Sequence, residues 1–354
     1  MILSEGNNPC LLKFTDDKKI QHESVSVDHD GSVDGIISSC KSSIDKYKKE
    51  YSKLPEFLAI TKIGQIKIVP VADLSSTDNT GKLSNKIAIV TGGAQGFGGG
   101  ISEELFKAGA NVIIADLNEN AGKEKADSLN NQKNSNRTLY VRTDVSDPVS
   151  VQNMILQTVK HFGGLDLLIS NAGILHAGSL DEMEPEVFNR MTVVNYNAFF
   201  FCTKYAAEVL KVQHQHNPDY YTDVIQINSK SGLQGSKKNF AYAGAKFGGI
   251  GLTQSFALEL VEYKIKVNAI CPGNLFEGPL WADPENGLFV QYLKAGKVPG
   301  AKTVEDVKKH YEGLVPMNRG CHVEDVMTAI YYIINQKYET GQALPVTGGQ
   351  IMLR

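Results

Sequence analysis

Tyr242 and Lys246 stand four residues apart in the stretch SKSGLQGSKKNFAYAGAK, which runs from Ser229 to Lys246. The sequence AYAGAKFGGIGLTQSFALEL around them has helical character, and in a helix a spacing of four stacks two side chains on one face. A lysine ammonium beside a phenol favours the phenolate, which predicts that the tyrosine falls from its ordinary pKa of about 10 toward neutrality. A phenol tuned in that way can exchange a proton with an alcohol or carbonyl oxygen. Ser229 ends the apolar run DVIQIN, which reads as a buried strand, and from there its hydroxyl could hold the same oxygen. A helical tyrosine with a solvated lysine neighbour has the same spacing, so the rest of the chain must decide the matter.

Chemistry on an alcohol or carbonyl needs something to carry the redox change, and the sequence upstream offers a place for it. KIAIV is a short β-branched run, followed at once by TGGAQGFGGG and the helical ISEELFKAGA. Strand, glycine-rich turn and helix start are the parts of a phosphate cradle, in which Gly92, Gly96 and Gly98 hold the spaced positions. The run NVIIAD then ends in Asp116, where a carboxylate would accept hydrogen bonds from ribose hydroxyls and repel a 2′-phosphate. The loop supplies Ala94 and Gln95 rather than an arginine, so the expected cofactor is NAD rather than NADP. Asp116 as the N-cap of the next helix is an equally simple reading. TLYVRTDV places Asp144 and Val145 at a strand end, where Asp144 reads either as an acceptor for an adenine amine or as a turn residue. LDLLIS leads into Asn171-Ala172-Gly173, a tight turn that would serve either a cofactor or the fold alone. Alternating strands and helices imply a parallel sheet covered on both faces, with ligands beyond the carboxyl ends of its strands.

PEVFNRMTVVNYNAFFFCTKYAAEVL reads as one long helix with Pro185 near its start. Asn195 is a polar residue in its apolar stretch, placed either to bind core backbone groups or to disturb the helix and hold a water. The strand KVNAIC runs into Pro272-Gly273. Taken together, TGGAQGFG from Thr91, Asp144-Val145, Asn171-Ala172-Gly173, Asn195, Ser229, YAGAK from Tyr242 and Pro272-Gly273 resemble, in order and approximate spacing, the short-chain dehydrogenase/reductase family. The resemblance covers about residue 82 to the end. It implies an α/β doubly wound parallel-sheet Rossmann fold and an oxidoreductase. It also implies that Tyr242 is the acid/base, that Ser229 orients the substrate oxygen, that Lys246 binds the nicotinamide ribose, and that Asn195 holds a proton-relay water. Gln95 and Phe97 of the glycine loop fall with the cofactor-binding positions, and Asn274 beside Pro272-Gly273 falls with the substrate.

A narrower resemblance joins SKSG, AKFGGIGLTQSFALELVEYKI, GNLFEGPLW, VPMNRGC and TGQALPVTGGQIM to the sorbitol-6-phosphate 2-dehydrogenase group. VTGGQ stands where the wider family commonly has Asp-Gly-Gly. The implied reaction interconverts a sugar-alcohol phosphate and a ketose phosphate with NAD. Another polyol, a deoxysugar phosphate, or a non-catalytic NAD-binding regulator are the alternatives. A substrate phosphate needs cationic donors. Candidates are Lys230, Lys237 and Lys238 near the serine, Lys294, Lys297 and Lys302 downstream, and Arg319, each with a solvated or structural reading beside it. Residues 274 to about 312, rich in Gly and Pro, read as an irregular, mobile lid holding the only tryptophan, Trp281.

Residues 1–81 carry none of these motifs. KSSIDKYKKEYSKL has Ile44, Tyr47, Tyr51 and Leu54 at helical spacing and stops at Pro55, FLAITKIGQIKIVPV alternates like a β-hairpin around Gly64-Gln65, and STDNTGKL is a linker. The reading is a small helix-plus-hairpin extension ahead of an NAD-binding domain over 82–354. It loosely resembles the tail of a class II aldolase domain. Without a histidine cluster (only His22 and His29), it offers no metal site and no aldolase chemistry. The net charge of −3 gives no basic footprint for nucleic acid. No run is apolar enough to span a membrane, and five scattered cysteines suit reduced thiols. The expectation is a cytoplasmic enzyme of a small-molecule substrate, a homotetramer by family habit, with no metal.

Overall fold

The computed structural model describes residues 3–5, 8–15, 24–28, 33–55, 57–60, 64–70, 81–133, 135–294 and 296–352. The chain divides into two compact units, residues 1–80 with 156–164, and residues 81–155 with 165–354.

The first unit holds strands β1 (Leu3–Glu5), β2 (Asn8–Thr15) and β3 (Ser24–Val27), helix α1 (Val33–Tyr51), and strands β4 (Phe57–Ile60) and β5 (Gly64–Pro70). They make one sheet in the order β1-β2-β5-β4-β3. β4 and β5 pair antiparallel with Ile60 opposite Gly64, where the alternating pattern suggests a hairpin. Strands β1 to β3 are additions to the helix and hairpin read from the sequence, because β1 and β3 are short and β2 does not alternate. Cys40 and Ile44, one helical turn apart on α1, close a small core with Val27, Leu58 and Ile60. Of the four spaced residues read on this helix, Ile44 is buried but Tyr51 is 54% exposed and lies 4.6 Å from the Tyr47 ring. Residues 76–80 of the expected linker lie outside the described residues.

The second unit is built on β6 (Ile87–Thr91), β7 (Asn111–Asp116), β8 (Thr138–Arg142), β9 (Leu167–Ser170), β10 (Thr222–Ile227), β11 (Ile265–Pro272) and β12 (Ala343–Val346). These form one sheet, β12-β11-β10-β9-β6-β7-β8, with every pair parallel. IAIVT, LLIS, TDVIQI and IKVNAICP are buried along their whole length, as strands between two helical layers should be. Helices α2 (Gly96–Lys107) and α3 (Glu119–Lys133) follow β6 and β7, and α4 (Pro148–Phe162), whose residues 156–162 are counted with the first unit, follows β8. Beyond β9 come α5 (Pro185–Thr192), α6 (Ala198–His216) and, after β10, α7 (Phe240–Leu260). Strand residues such as Val90, Ile114, Ile169 and Ile225 pack on α2, α3 and a late helix, α11 (Val323–Asn335). α6 and α7 pack against β9, β10 and β11. The strand order reverses between β6 and β9, so the loops after these two strands diverge and leave a crevice.

Between β11 and α11 the chain forms α8 (Pro279–Ala282), α9 (Leu288–Lys294) and α10 (Val304–Gly313). The sequence pattern reads as an irregular lid, yet this segment has a core of its own. Phe276, Trp281, Phe289, Val298 and Val307 are buried together, and the Trp281 ring lies 5.0 Å from Phe276, 5.1 Å from Phe289 and 5.3 Å from Tyr311. Aromatic rings spaced unevenly between Gly and Pro residues show no period, yet they meet in the core of the cap.

Candidate active site

Beyond the carboxyl ends of the strands lies a cleft of about 960 Å³. Its floor begins at the glycine loop. Gly92 and Gly96 have φ of +60° and +56°, a backbone that favours glycine, and nothing lies within 4 Å of where a Cβ on Gly96 would stand. No side chain caps the first turn of α2, so its N–H groups remain free beside that space. Gly98 stands behind the wall rather than in it. A Cβ there would come within 2.0 Å of the Gly92 carbonyl oxygen, so this glycine lets α2 seat against the loop.

Asp116 ends β7 and braces the loop, accepting from the Ala94 amide at 3.0 Å and the Asn118 amide at 2.9 Å. It does not cap the next helix. Asn118 does so, accepting from the Ala121 amide at 3.2 Å. Asp144 sits in a turn, accepting from the amide and hydroxyl of Ser146 at 2.9 and 2.6 Å, and it also faces the cleft with Val145. Asn171 staples the loop after β9 to the glycine loop, donating to the carbonyls of Thr91 at 2.9 Å and Gly92 at 3.2 Å. The Thr91 hydroxyl completes this join by accepting from the amides of Asn171 and Ala172.

The reactive groups come from α7 and from the end of β10. Ser229 N-caps a short 3₁₀ turn, Lys230–Gly232, and accepts from the Ser231 amide at 3.1 Å. Tyr242 is half-buried at the cleft wall, its phenol within hydrogen-bonding reach of the Ser229 hydroxyl. One turn on, the Lys246 ammonium lies 5.5 Å from the centre of the Tyr242 ring and donates to the Ile227 carbonyl at 3.1 Å. Here the electrostatics differ from the sequence expectation. Burial pushes the Tyr242 phenol above its ordinary value, opposed by the Ser229 hydrogen bond, and burial brings the Lys246 ammonium down to about 8. Desolvation disfavours both charged forms and outweighs the stabilisation that a neighbouring ammonium would give a phenolate.

Two asparagines hold this geometry from behind. The helix read as continuous from Pro185 is broken by a π turn at Val193–Asn197, between α5 and α6. Asn195 sits in that turn. It accepts from the Ile174 amide at 3.1 Å and donates to the carbonyls of Ile174 at 2.9 Å and Met191 at 3.0 Å. A Cβ on Gly173 would lie 2.8 Å from the Asn195 oxygen and 3.9 Å from the Lys246 nitrogen, so these three groups meet at one point. Sequence reasoning missed the other, Asn228. Its side chain accepts from the Ser229 amide at 2.8 Å and donates to the Lys246 carbonyl at 2.9 Å, joining strand and helix at the reactive pair. A polar residue ending an otherwise apolar strand next to the serine was the available signal.

Pro272, Gly273 and Asn274 complete the far wall. Of the candidate cations, Lys230, Lys237, Lys238 and Lys297 line the cleft, whereas Lys294 and Lys302 do not. Arg190 at the end of α5 also lines it and went unread in the sequence. Arg319 is held in a bidentate pair with Asp325 at 2.6 and 2.9 Å, in front of α11. Among the described residues no helix is long and apolar enough to cross a membrane.

Known proteins resemble this chain in sequence and fold. A sequence profile described as short chain dehydrogenase matches residues 86–280. The sorbitol-6-phosphate 2-dehydrogenase of Escherichia coli strain K12 is 34% identical over 271 residues, covering 76% of this chain and 99% of that protein. The crystal structure of sorbitol-6-phosphate 2-dehydrogenase from Erwinia amylovora superposes with a TM-score of 0.69 at 36% identity, over 75% of this chain and all of that one. A 3-ketoacyl-(acyl-carrier-protein) reductase from Brucella melitensis, solved with NADH, superposes with a TM-score of 0.65 at 25% identity, over 77% of this chain and all of that one.

Proposed function

The chain belongs to the short chain dehydrogenase family, and from that premise we propose that it interconverts a sugar-alcohol phosphate and the matching ketose phosphate with NAD. The observation that carries the reading is the meeting of Ser229, Tyr242 and Lys246 in one cleft with a glycine loop and an uncapped helix start. The substrate class follows from the two sorbitol-6-phosphate 2-dehydrogenases among its relatives and from the cations along the cleft.

The residues fit a nicotinamide dinucleotide. The open space over Gly96 and the free N–H groups of α2 suit a pyrophosphate, and Asp116 at the end of β7 suits ribose hydroxyls. Among the described residues lining the cleft at the ends of β6, β7 and β8 there is no lysine or arginine to meet a 2′-phosphate, which favours NAD. Such a cofactor supplies the hydride acceptor for the alcohol and the hydride donor for the ketone.

The chain's own part is to manage the oxygen and its proton. Tyr242, kept protonated by burial, is placed to give its proton to a ketone oxygen and, as phenolate, to take one from an alcohol. Ser229 donates to the same oxygen as negative charge gathers on it. Lys246 supplies a buried positive charge one helical turn away, and Asn195 fixes the π turn and the Gly173 backbone against which that charge sits.

The test is a substrate screen with NAD and NADP in parallel, following reduced nicotinamide by absorbance. NAD with sorbitol 6-phosphate gives the highest kcat/KM. Absence of turnover with every polyol and polyol phosphate would overturn the reading.

A further inference from the structure

The cations lining the cleft are not equivalent. Arg190, Lys237, Lys238 and Lys297 are exposed, and Lys297 rests over the Tyr292 ring at 4.1 Å. Charges of that kind are solvated and screened. Lys230 is half-buried, and burial lowers its pKa. Its ammonium donates to the side-chain oxygen of Gln350 at 2.7 Å, a neutral partner 120 residues away. Among the described residues no carboxylate pairs with it. The carboxylates that line the cleft, Asp116 and Asp144, belong to the ends of β7 and β8. A half-buried ammonium with one neutral acceptor keeps donors in hand, whereas such charges are ordinarily paired.

Gln350 is delivered by a shaped turn. Gly348 and Gly349 have φ of +60° and +83°, and the Thr347 hydroxyl accepts from the Ile351 amide at 3.2 Å. A Cβ on Gly348 would stand 2.7 Å from a Val315 methyl. The turn therefore has little freedom, and Gln350 fixes where the Lys230 ammonium stands. Lys230 is also the next residue after Ser229, so the site of the anion and the site of the reacting oxygen are set by consecutive residues.

Resting on the proposed reaction, we propose that Lys230, positioned by Gln350, receives the substrate's phosphate monoester, and that the neutrality of Gln350 is what leaves this charge available. A carboxylate at position 350 would satisfy Lys230 internally and cancel its attraction for an anion. The pair is thus a specificity device that selects phosphorylated over plain polyols and ketoses.

Two measurements on the full-length protein test it. The first is the ratio of kcat/KM for sorbitol 6-phosphate to that for sorbitol. The second is calorimetric binding of fructose 6-phosphate against fructose, which needs no turnover. In wild type both preferences favour the phosphate. Lys230→Met and Gln350→Glu each lower them by about 30-fold or more, and Lys230→Arg restores most of the loss, as a charge-assisted contact requires. Thermal melts confirm folding, and Lys230→Arg and Gln350→Glu keep the test valid should the methionine variant not fold. A phosphate preference that survives Lys230→Met or Gln350→Glu, or that is absent in wild type, overturns the inference. Lys230-dependent binding of fructose 6-phosphate without turnover of any polyol upholds it and sinks the proposed reaction instead.

Discussion

At the carboxyl ends of the strands, Lys246 is buried to 4% exposure and its ammonium meets a single backbone carbonyl, that of Ile227. At the amino ends, Lys266 is buried to 3%, yet it pairs with the Asp223 carboxylate at 2.9 Å and donates to the carbonyls of Ile333 and, at 2.6 Å, Gln336. Nearby, the Lys86 ammonium donates to the Tyr220 phenol, and that hydroxyl donates to Asp166. Asp166 in turn accepts from the Ile87 amide at 2.7 Å. Among the described residues, the buried lysine at one end of the sheet thus meets a carboxylate and two carbonyls, although the Thr222 hydroxyl beside it has no hydrogen-bond partner, and the buried lysine at the other end meets one carbonyl alone. A buried charge with full pairing holds strands in place, while one without it stays ready for a ligand. The two tyrosines tell the same story. Burial raises both, but beside Tyr220 the carboxylate of Asp166 raises it further, whereas Tyr242 has the Ser229 hydroxyl acting against burial.

The sharpest way to break this contrast is to remove one phenol oxygen from each end. Tyr242→Phe lowers turnover by on the order of 10³-fold if the proposed proton transfer is right, and leaves NADH binding, followed by nicotinamide fluorescence, within a few-fold of wild type. Tyr220→Phe leaves turnover nearly intact. Equal activity in the two variants would remove the functional distinction between the two ends.

A second pair exchanges the lysines. Lys266→Met leaves the Asp223 carboxylate buried without its cation and costs about 3–5 kcal/mol in urea unfolding. Lys246→Met replaces an ammonium that has no carboxylate partner among the described residues with a chain of similar length. It therefore leaves stability unchanged or raises it slightly, while turnover falls. Comparable destabilisation by both would mean that Lys246 is as structural as Lys266.

These contrasts also mark what the sequence could reveal. Tyr242 and Lys246 were legible because a helix turns a spacing of four into a shared face. The strands were legible because buried parallel strands are predominantly apolar runs, with charges such as Asp223 and Lys266 near their amino ends. The glycine loop was legible from its position between strand and helix. The direction of the Tyr242 shift was not, because burial is a sum over neighbours from β10, β11 and the π turn that no local window contains. The Lys230–Gln350 contact spans 120 residues, and Asn228 reads as the last letter of a strand. The cap between β11 and α11 gave no period because its rings converge from three short helices. In the first unit, β1 and β3 are three and four residues long, so alternation had little room to appear, and the NPCLLKFT of β2 does not alternate.

The smallest effect expected is also the one that separates the two ends by sign. Burial raises Asp223 from 3.8 to about 6 despite the Lys266 charge, so its contribution to stability is full below pH 4 and is lost as pH rises to 6. Burial lowers Lys246 from 10.5 to about 8, so its contribution is full above pH 10.5 and is lost as pH falls to 8. Stability, wild type minus Asp223→Asn, therefore declines between pH 4 and 6, and wild type minus Lys246→Met climbs between pH 8 and 10.5. Each slope is at most about 1.4 kcal/mol per pH unit, the limit for one proton. Unfolding curves in urea at half-unit pH steps resolve both. Slopes of the same sign would show that the pairing around Asp223 overcomes its burial, and the amino end would then hold an ordinary ionised pair rather than a carboxyl group kept near its titration point.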